Sequence, residues 1–346
     1  MTETPGRRRG PSPDMPSRRP VLRAAPRLLA LLGLLAAVFA TGAPSPASAQ
    51  ESGELSVGIA DQKTTFFTAP LFQDLHISKV RRVVPWDAMN IGYERAELDQ
   101  WLTAARAAST RPLLSFGHSR VPSRAHTAPT PAQFVASFRK LRKAYPWVTE
   151  FAVWNEPNLC GEPLCHKPEL AARYYDALRA ACPSCTILAS EVLDNPTMTP
   201  WVKAFLKRVK HKPTIWGLHN YLDANRLRTS GTQRLLRLVT GQIWFTETGG
   251  IVKRRSAHKQ GGFPETVAHA AVAMRWIFDK LVELSPRIKR VYIYHWNPGG
   301  PRDSWDSGLV GLDGTARTGY RVLRDRLRTI ERRRTASAAR HRVAHG

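Results

Sequence analysis

Phe151-Ala152-Val153-Trp154-Asn155-Glu156-Pro157-Asn158 is the stretch from which the fold is read. Phe151 to Val153 is a short apolar run of the kind that forms a buried strand. Pro157 cannot donate to a sheet ladder, so the strand stops there. Asn155 and Glu156 thus sit at a strand end, out of the core but not yet in open loop. A second stretch, Trp244-Phe245-Thr246-Glu247-Thr248-Gly249, has the same form and places Glu247 at the end of another apolar run.

Working outward, short runs rich in Val, Ile and Leu recur at 55–60, 80–84, 112–116, 151–154, 186–189, 215–218, 243–245 and 291–294. Amphipathic stretches lie between or after them, at 66–76, 93–108, 131–144, 168–182, 199–210, 230–240, 263–284 and 317–331. Thr130-Pro131 and Thr199-Pro200 are helix-start signals. Continuous apolar strands alternating with helices specify a parallel sheet covered by helices. Eight such units predict an α/β fold, a (β/α)8 TIM barrel. A doubly wound open sheet is the alternative. It usually carries a Gly-rich turn after its first strand, and Gly58-Ile59-Ala60-Asp61 does not have that form.

The chain has 346 residues and a net charge of +25, with Arg and Lys spread along its length. Such a surface attracts anionic polymers or anionic membranes nonspecifically. No zinc-finger spacing and no aromatic-interleaved basic motif points to specific nucleic-acid reading. Arg7–Arg9, Arg18, Arg19, Arg23 and Arg27 precede an apolar run at 28–40, and Ala47-Ser48-Ala49 follows as a small-residue cleavage site. Residues 1–49 therefore read as an export signal peptide. Ser17-Arg18-Arg19-Pro20-Val21-Leu22 resembles a twin-arginine signal, with the ordinary secretory route as the alternative. No other stretch is apolar and long enough for a membrane span. The expected mature chain is a secreted monomer, extracellular or in the cell wall, with residues 50–331 forming the barrel. Residues 332–346 are Arg-rich, carry no acidic residue, and read as a disordered basic tail.

Export permits disulfides. The cysteines are Cys160, Cys165, Cys182 and Cys185. A helix over 168–182 would separate the two pairs by roughly 20 Å, too far for a shared zinc site or a cross-bridge. Two local bridges are expected, Cys160 with Cys165 and Cys182 with Cys185. His211, His258 and His269 lack zinc-ligand spacing. No Gly-rich phosphate loop and no G-x-S-x-G elbow is present. The expected chemistry uses acid and base groups, with no cofactor and no metal.

In a barrel the C-terminal strand ends form the active face. Here they carry Asp61, Arg82 (or Arg81) with Trp86, His118, Asn155 with Glu156, Glu191, His219 with Tyr221, Glu247, and His295 with Trp296. Two carboxylates facing each other across a barrel mouth suit cleavage of a glycosidic bond. One must donate a proton to the leaving oxygen, and the other must attack the anomeric carbon or activate water. Trp154 and Pro157 give Glu156 the apolar surroundings that suit an acid. An arginine on the second strand would hold a carboxylate ionised.

Trp154-Asn155-Glu156-Pro157 on a fourth strand and Thr246-Glu247 on a seventh, 91 residues apart, resemble clan A of the glycoside hydrolases, with families 5 and 39 the nearest comparisons. The resemblance implies a retaining hydrolase with Glu156 as acid/base, Glu247 as nucleophile and Asn155 on the sugar 2-hydroxyl. It makes His219 and Tyr221 the sixth-strand residues beside the nucleophile and Trp296 the aromatic floor for a sugar ring. It also implies a second-strand arginine, for which Arg82 is chosen over Arg81. Trp86 and His118 complete the expected substrate-binding set. Two other readings remain: a carbohydrate-binding protein without turnover on the same barrel, and a basic protein held on an anionic wall polymer.

Overall fold

The computed structural model describes residues 55–254 and 262–344. The expected export leader at 1–49, with its expected cleavage site at 47–49, and residues 345–346 lie outside the described residues.

The apolar runs become strands β1 (Ser56–Ala60), β2 (Lys79–Pro85), β3 (Arg111–Gly117), β4 (Glu150–Ala152), β5 (Thr186–Leu188), β6 (Glu191–Leu193), β7 (Ile215–His219), β8 (Gln242–Thr248) and β10 (Ile288–Tyr294). They form one parallel sheet in the order β5-β4-β3-β2-β1-β10-β8-β7-β6. Its two ends are halves of a single passage of chain, broken at Ala189 and Ser190. Across the break the Gly217 N–H donates to the Ser190 carbonyl at 2.8 Å, and the Glu191 N–H donates to the Trp154 carbonyl at 3.1 Å. The sheet therefore closes almost completely on itself, giving eight passages and a (β/α)8 barrel. A doubly wound sheet would instead end in two separate edges.

Side chains alternate along each strand, and the burial follows. Ala60, Leu113, Ala152, Leu188, Trp244 and Tyr292 pack inside the barrel, while Val80, Val84, Phe116 and Phe151 belong to the larger core outside it. Deep inside, Arg290 lies 3.6 Å over the Trp244 ring and pairs with Glu150.

The outer layer contains α1 (Pro70–Asp74), α2 (Gly92–Ala107), α3 (Pro131–Ala144), α4 (Pro168–Ala181), α5 (Met198–Arg208), α6 (Tyr221–Asn225), α7 (Ser230–Leu238), α8 (Val267–Trp276) and α9 (Thr318–Ala344). α3 occupies the expected bounds because its start is a capping box. The Gln133 N–H donates to the Thr130 hydroxyl, and the Gln133 side-chain oxygen accepts the Thr130 N–H at 2.8 Å. The expected disorder from residue 332 is not found among the described residues. Helix α9 runs on to Ala344, through a stretch of Ala and Arg that contains no Pro or Gly and so favours helix. The Arg334 guanidinium donates to the Leu55 carbonyl, which anchors this part of α9 at the N-terminal end of the barrel.

Two loops on the opposite, C-terminal face pair as a small antiparallel ribbon, β9 (Lys253–Arg254) with β11 (Trp305–Asp306). No described helix is long and apolar enough to cross a membrane.

Candidate active site

Beyond Ala152 the chain stays extended, and Asn155 forms a parallel bridge with Glu191. The backbone then turns sharply. Glu156 has φ +48°, a left-handed conformation that for a residue with a side chain costs about 1–3 kcal/mol. Its N–H donates to the Glu191 carbonyl at 2.9 Å, which fixes the turn. Trp154 is fully buried against Phe134 and Tyr174, and its indole N–H donates to Glu162 at 2.9 Å. The strand end is thus locked from behind while Glu156 faces the barrel mouth.

Glu247 is aimed by a bulge. On one side, β7 pairs Leu218 with Phe245 and then His219 with Glu247; on the other, β10 pairs Val291 with Phe245 and then Ile293 with Thr248. Both neighbours count one extra residue in β8 between Phe245 and Thr248. A bulge of this kind redirects a side chain at a barrel rim.

Arg81 joins the groups. Its Nη1 donates to Glu247 at 2.6 Å, its Nε and Nη2 grip Glu191 at 2.8 and 2.6 Å, and Nη2 also donates to the Asn155 side-chain oxygen at 2.8 Å. Ser115 donates to Glu191 from behind. His219 Nδ1 lies 2.9 Å from Glu156, and the Tyr221 hydroxyl donates to Glu247 at 3.3 Å. One oxygen each of Glu156 and Glu247 and one ring nitrogen of His219 lie within 4.8 Å of one another.

These contacts set the ionisation. Burial alone would raise the Glu191 carboxyl, but the charge and hydrogen bonds of Arg81 hold it below its ordinary value. Burial works against the charged forms of Arg81 and His219 as well. The carboxylates outweigh it in both, so both are raised and favour the cation. Burial and the nearby Glu247 charge push the Tyr221 hydroxyl well up, so it stays a donor. Glu156, His219 and Glu247 are close enough to share a metal ion. Arg81 already puts a cation against Glu247, so the set fits a guanidinium-held carboxylate pair better than a divalent site.

The cleft over these residues is about 520 Å³. Asn155, Glu156 and Glu247 form its floor, and Tyr221, Phe263, Tyr294 and Trp305 supply aromatic wall. Trp305 stands edge-on to Tyr221 with ring centroids 5.0 Å apart.

Several expected residues lie elsewhere. Arg82 does not reach the site. It points outward with Val80 and Val84, bonds to Glu97 and lies 5.9 Å over the Trp101 ring. Arg81, inward like its pairing partner Leu113, takes the role. Trp296 is no floor for a sugar; it is buried against Phe66, Phe72 and Tyr320. Tyr294, two residues earlier, faces the cleft instead. Trp86 is part of the outer core and does not line the cleft. His118 is exposed, 2.8 Å from Glu162, and its hydrogen bond with that carboxylate raises it. It therefore acts behind Trp154, not in the cleft. Cys182 and Cys185 form the expected disulfide, with Cα atoms 5.4 Å apart. Cys160 and Cys165 are thiols whose sulfurs are 3.2 Å apart. Their loop is held instead by turns, among them Glu162 N–H to Leu159 and Cys165 N–H to Glu162. Burial, together with Cys160, pushes the Cys165 thiol up to about 11.

Similar folds occur among solved structures. A GH5_18 protein from Streptomyces cattleya, solved with GlcNAc, superposes with a TM-score of 0.60 at 15% identity, over 80% of each chain. A GH10 endoxylanase from a sugarcane soil metagenome gives 0.57 at 14%, over 79% of this chain and 97% of its own. A GH39 β-xylosidase from Caulobacter crescentus gives 0.53 at 17%, over 78% of this chain and 70% of its own. What these structures share with the chain is the barrel fold. No protein-family profile matches the chain, and no curated protein matches it in sequence. At these identities the likeness extends to the barrel and not to any one sugar. The glycoside-hydrolase resemblance read from Asn155-Glu156 and Glu247 thus finds its counterpart in the architecture.

Arg81, Glu191, Ser115, Tyr294 and Trp305 are the site residues that sequence reasoning ranked low or missed. Arg81 had no local signal, because its inward phase is set by pairing with β3. For Glu191 it was a strand that resumes after Ser190. Trp305 had no local signal, because it reaches the cleft through the β9–β11 pairing.

Proposed function

We propose that the protein is a retaining glycoside hydrolase in which Glu247 is the nucleophile and Glu156 the acid/base. The observation that carries this reading is the closeness of the two carboxylates, with oxygens within 4.8 Å. Separations of about 5–5.5 Å suit a covalent intermediate, whereas roughly 6.5–9.5 Å leaves room for a water between the groups. In the first step a Glu247 oxygen bonds to the anomeric carbon while Glu156 gives its proton to the departing glycosidic oxygen. In the second, Glu156 takes a proton from water, the water oxygen bonds to the same carbon, and the Glu247 ester breaks. Arg81 holds Glu247 in place through its Nη1 donor. Asn155 accepts from Arg81 through its oxygen, so its amide N–H groups are turned to a sugar hydroxyl. Trp305 and Tyr294 offer apolar faces to the ring.

The test compares wild type with Glu247→Ala and Glu156→Ala on aryl β-glycosides and wall polysaccharides. Both variants should fold and lose turnover by about 10³-fold or more. Azide should restore Glu156→Ala on a substrate with a good leaving group and release a glycosyl azide of retained configuration. Inverted product, or wild-type rates in either variant, would sink the reading.

We further propose that the protein acts after export. The Arg-rich leader followed by a cleavage site supports this, as does the Cys182–Cys185 bridge, which suits an oxidising compartment.

A further inference from the structure

A second cavity, of about 450 Å³, opens beside the catalytic cleft. Asp194 and Leu222 line both, so they form the ridge between them. Both belong to the active face: Asp194 directly follows β6, and Leu222 is the residue after Tyr221, which holds Glu247. Arg226, Arg228 and Arg234 also line the second cavity.

Building on the hydrolase reading, we propose that this cavity is an anionic subsite, and that the substrate is a glycan bearing a carboxylate or phosphate group one or more sugar units away from the cleaved bond. Arginine is the residue type that grips planar or tetrahedral oxyanions through paired N–H donors, and three line this one cavity. The contacts of Arg228 and Arg234 leave capacity. Arg234 donates to the Asn195 carbonyl through Nη1 at 3.4 Å, and Arg228 faces Asp223 through Nε at 3.4 Å. Each of these two groups has five N–H donors.

Asp194 is the one carboxylate in the lining, against three arginines. Its oxygens accept the backbone N–H groups of Leu222 and Asp223, at 3.3 and 2.7 Å. Burial, with the Asp223 charge adding to it, pushes it up to about 7, which weakens its negative charge near neutrality. Asp223 is fully buried behind the wall and accepts from the Gly231 and Thr232 N–H groups. The cavity is thus lined by three arginines and one carboxylate, with Asp223 behind it facing Arg228. A polymer lying in the cleft and passing over Leu222 would bring a charged substituent against the arginines.

The whole chain carries +25, so the test must separate this wall from diffuse charge. Binding is measured with the Glu247→Gln form of the full chain, so that no turnover is needed and the outcome stands whether or not the hydrolase reading holds. The probes are polygalacturonate, a wall teichoic acid and neutral arabinoxylan. The double substitution Arg226→Gln/Arg234→Gln is set against Arg332→Gln/Arg333→Gln, which removes the same charge from exposed positions on α9. The cavity pair should weaken binding of one anionic polymer by at least about tenfold, with arabinoxylan binding unchanged, and the α9 pair should have little effect. Loss confined to polygalacturonate identifies a carboxylate, and loss confined to teichoic acid a phosphate. Equal losses in both pairs, no loss in either, or no preference of the parent protein for an anionic polymer would each overturn the proposal.

Discussion

His219 stands between the two glutamates, with Nδ1 2.9 Å from Glu156 and 3.8 Å from Glu247. It is fully buried, which by itself lowers its proton affinity, but Glu247 and Glu156 together raise it above the ordinary histidine value. The native state then keeps a proton that the unfolded chain releases near pH ~6.5. The stabilisation is complete below that pH and is lost as pH rises through the native value, at about 1.4 kcal/mol for each unit of elevation. Thermal unfolding followed from about pH 5 to pH 9 should show wild-type stability declining on the alkaline side. His219→Asn should flatten that decline. Parallel curves for the two proteins would show that His219 is not held as a cation.

Arg81 and Arg82 are neighbours with opposite fates. Replacing both separately by Met keeps bulk and removes charge. Arg81→Met strands Glu191, fully buried, without its ion-pair partner, so stability should drop by about 3–5 kcal/mol. It also releases Glu247, and hydrolysis should fall with it. Arg82→Met removes a pair whose partner Glu97 is largely in solvent, and the change should stay within about 1 kcal/mol. Denaturant unfolding of the two variants decides this. Equal losses would mean that the inward phase of Arg81 is misassigned.

That contrast shows why the barrel was legible in the sequence while part of its site was not. Parallel strands buried on both faces give continuous apolar runs, and those runs located the sheet. Thr130-Pro131 placed α3, and Pro157 marked the end that presents Glu156. Within Val80-Arg81-Arg82-Val83, however, the two arginines have equivalent apolar flanks, and the phase of the alternation is not set locally. It is set by pairing with β3. Tyr294 and Trp296 pose the same problem at the end of β10, where both are aromatic two residues apart. Glu191 was hidden because its strand breaks at Ala189 and Ser190. Trp305 reaches the cleft only by pairing with Arg254, about fifty residues earlier, a long-range contact that no local pattern encodes.

Trp305 and Trp296 should therefore respond differently to truncation. Trp305 is partly exposed in the cleft and meets Tyr221 edge-on. Trp305→Ala should keep the fold and raise KM by about three- to tenfold, the worth of one aromatic contact. Trp296 is 3% exposed within a cluster of Phe66, Phe72 and Tyr320. Trp296→Ala should cost about 3–5 kcal/mol and show first as a lowered Tm. A Trp296→Ala protein with unchanged Tm and raised KM would return Trp296 to the role of sugar platform.

Gly217 tests whether the buried Arg81–Glu191 pair positions Glu247. It lies on β7 with its missing side chain directed at the pair's support: a Cβ there would come within 2.5 Å of the Glu191 side chain and 2.8 Å of the Thr246 hydroxyl. Both are fully buried, so neither has free space to retreat into. Gly217→Ala should cost about 1–3 kcal/mol by overpacking. Displacing Glu191 also shifts the guanidinium that holds Glu247, so kcat should fall while KM moves little, since Gly217 does not line the cleft. Gly217→Ala combined with Glu191→Ala vacates the crowded space, and the further loss should then be smaller than the sum of the two single effects. Strict additivity in Tm and in kcat would show that Gly217 and Glu191 act independently, and that the arginine is placed by other contacts.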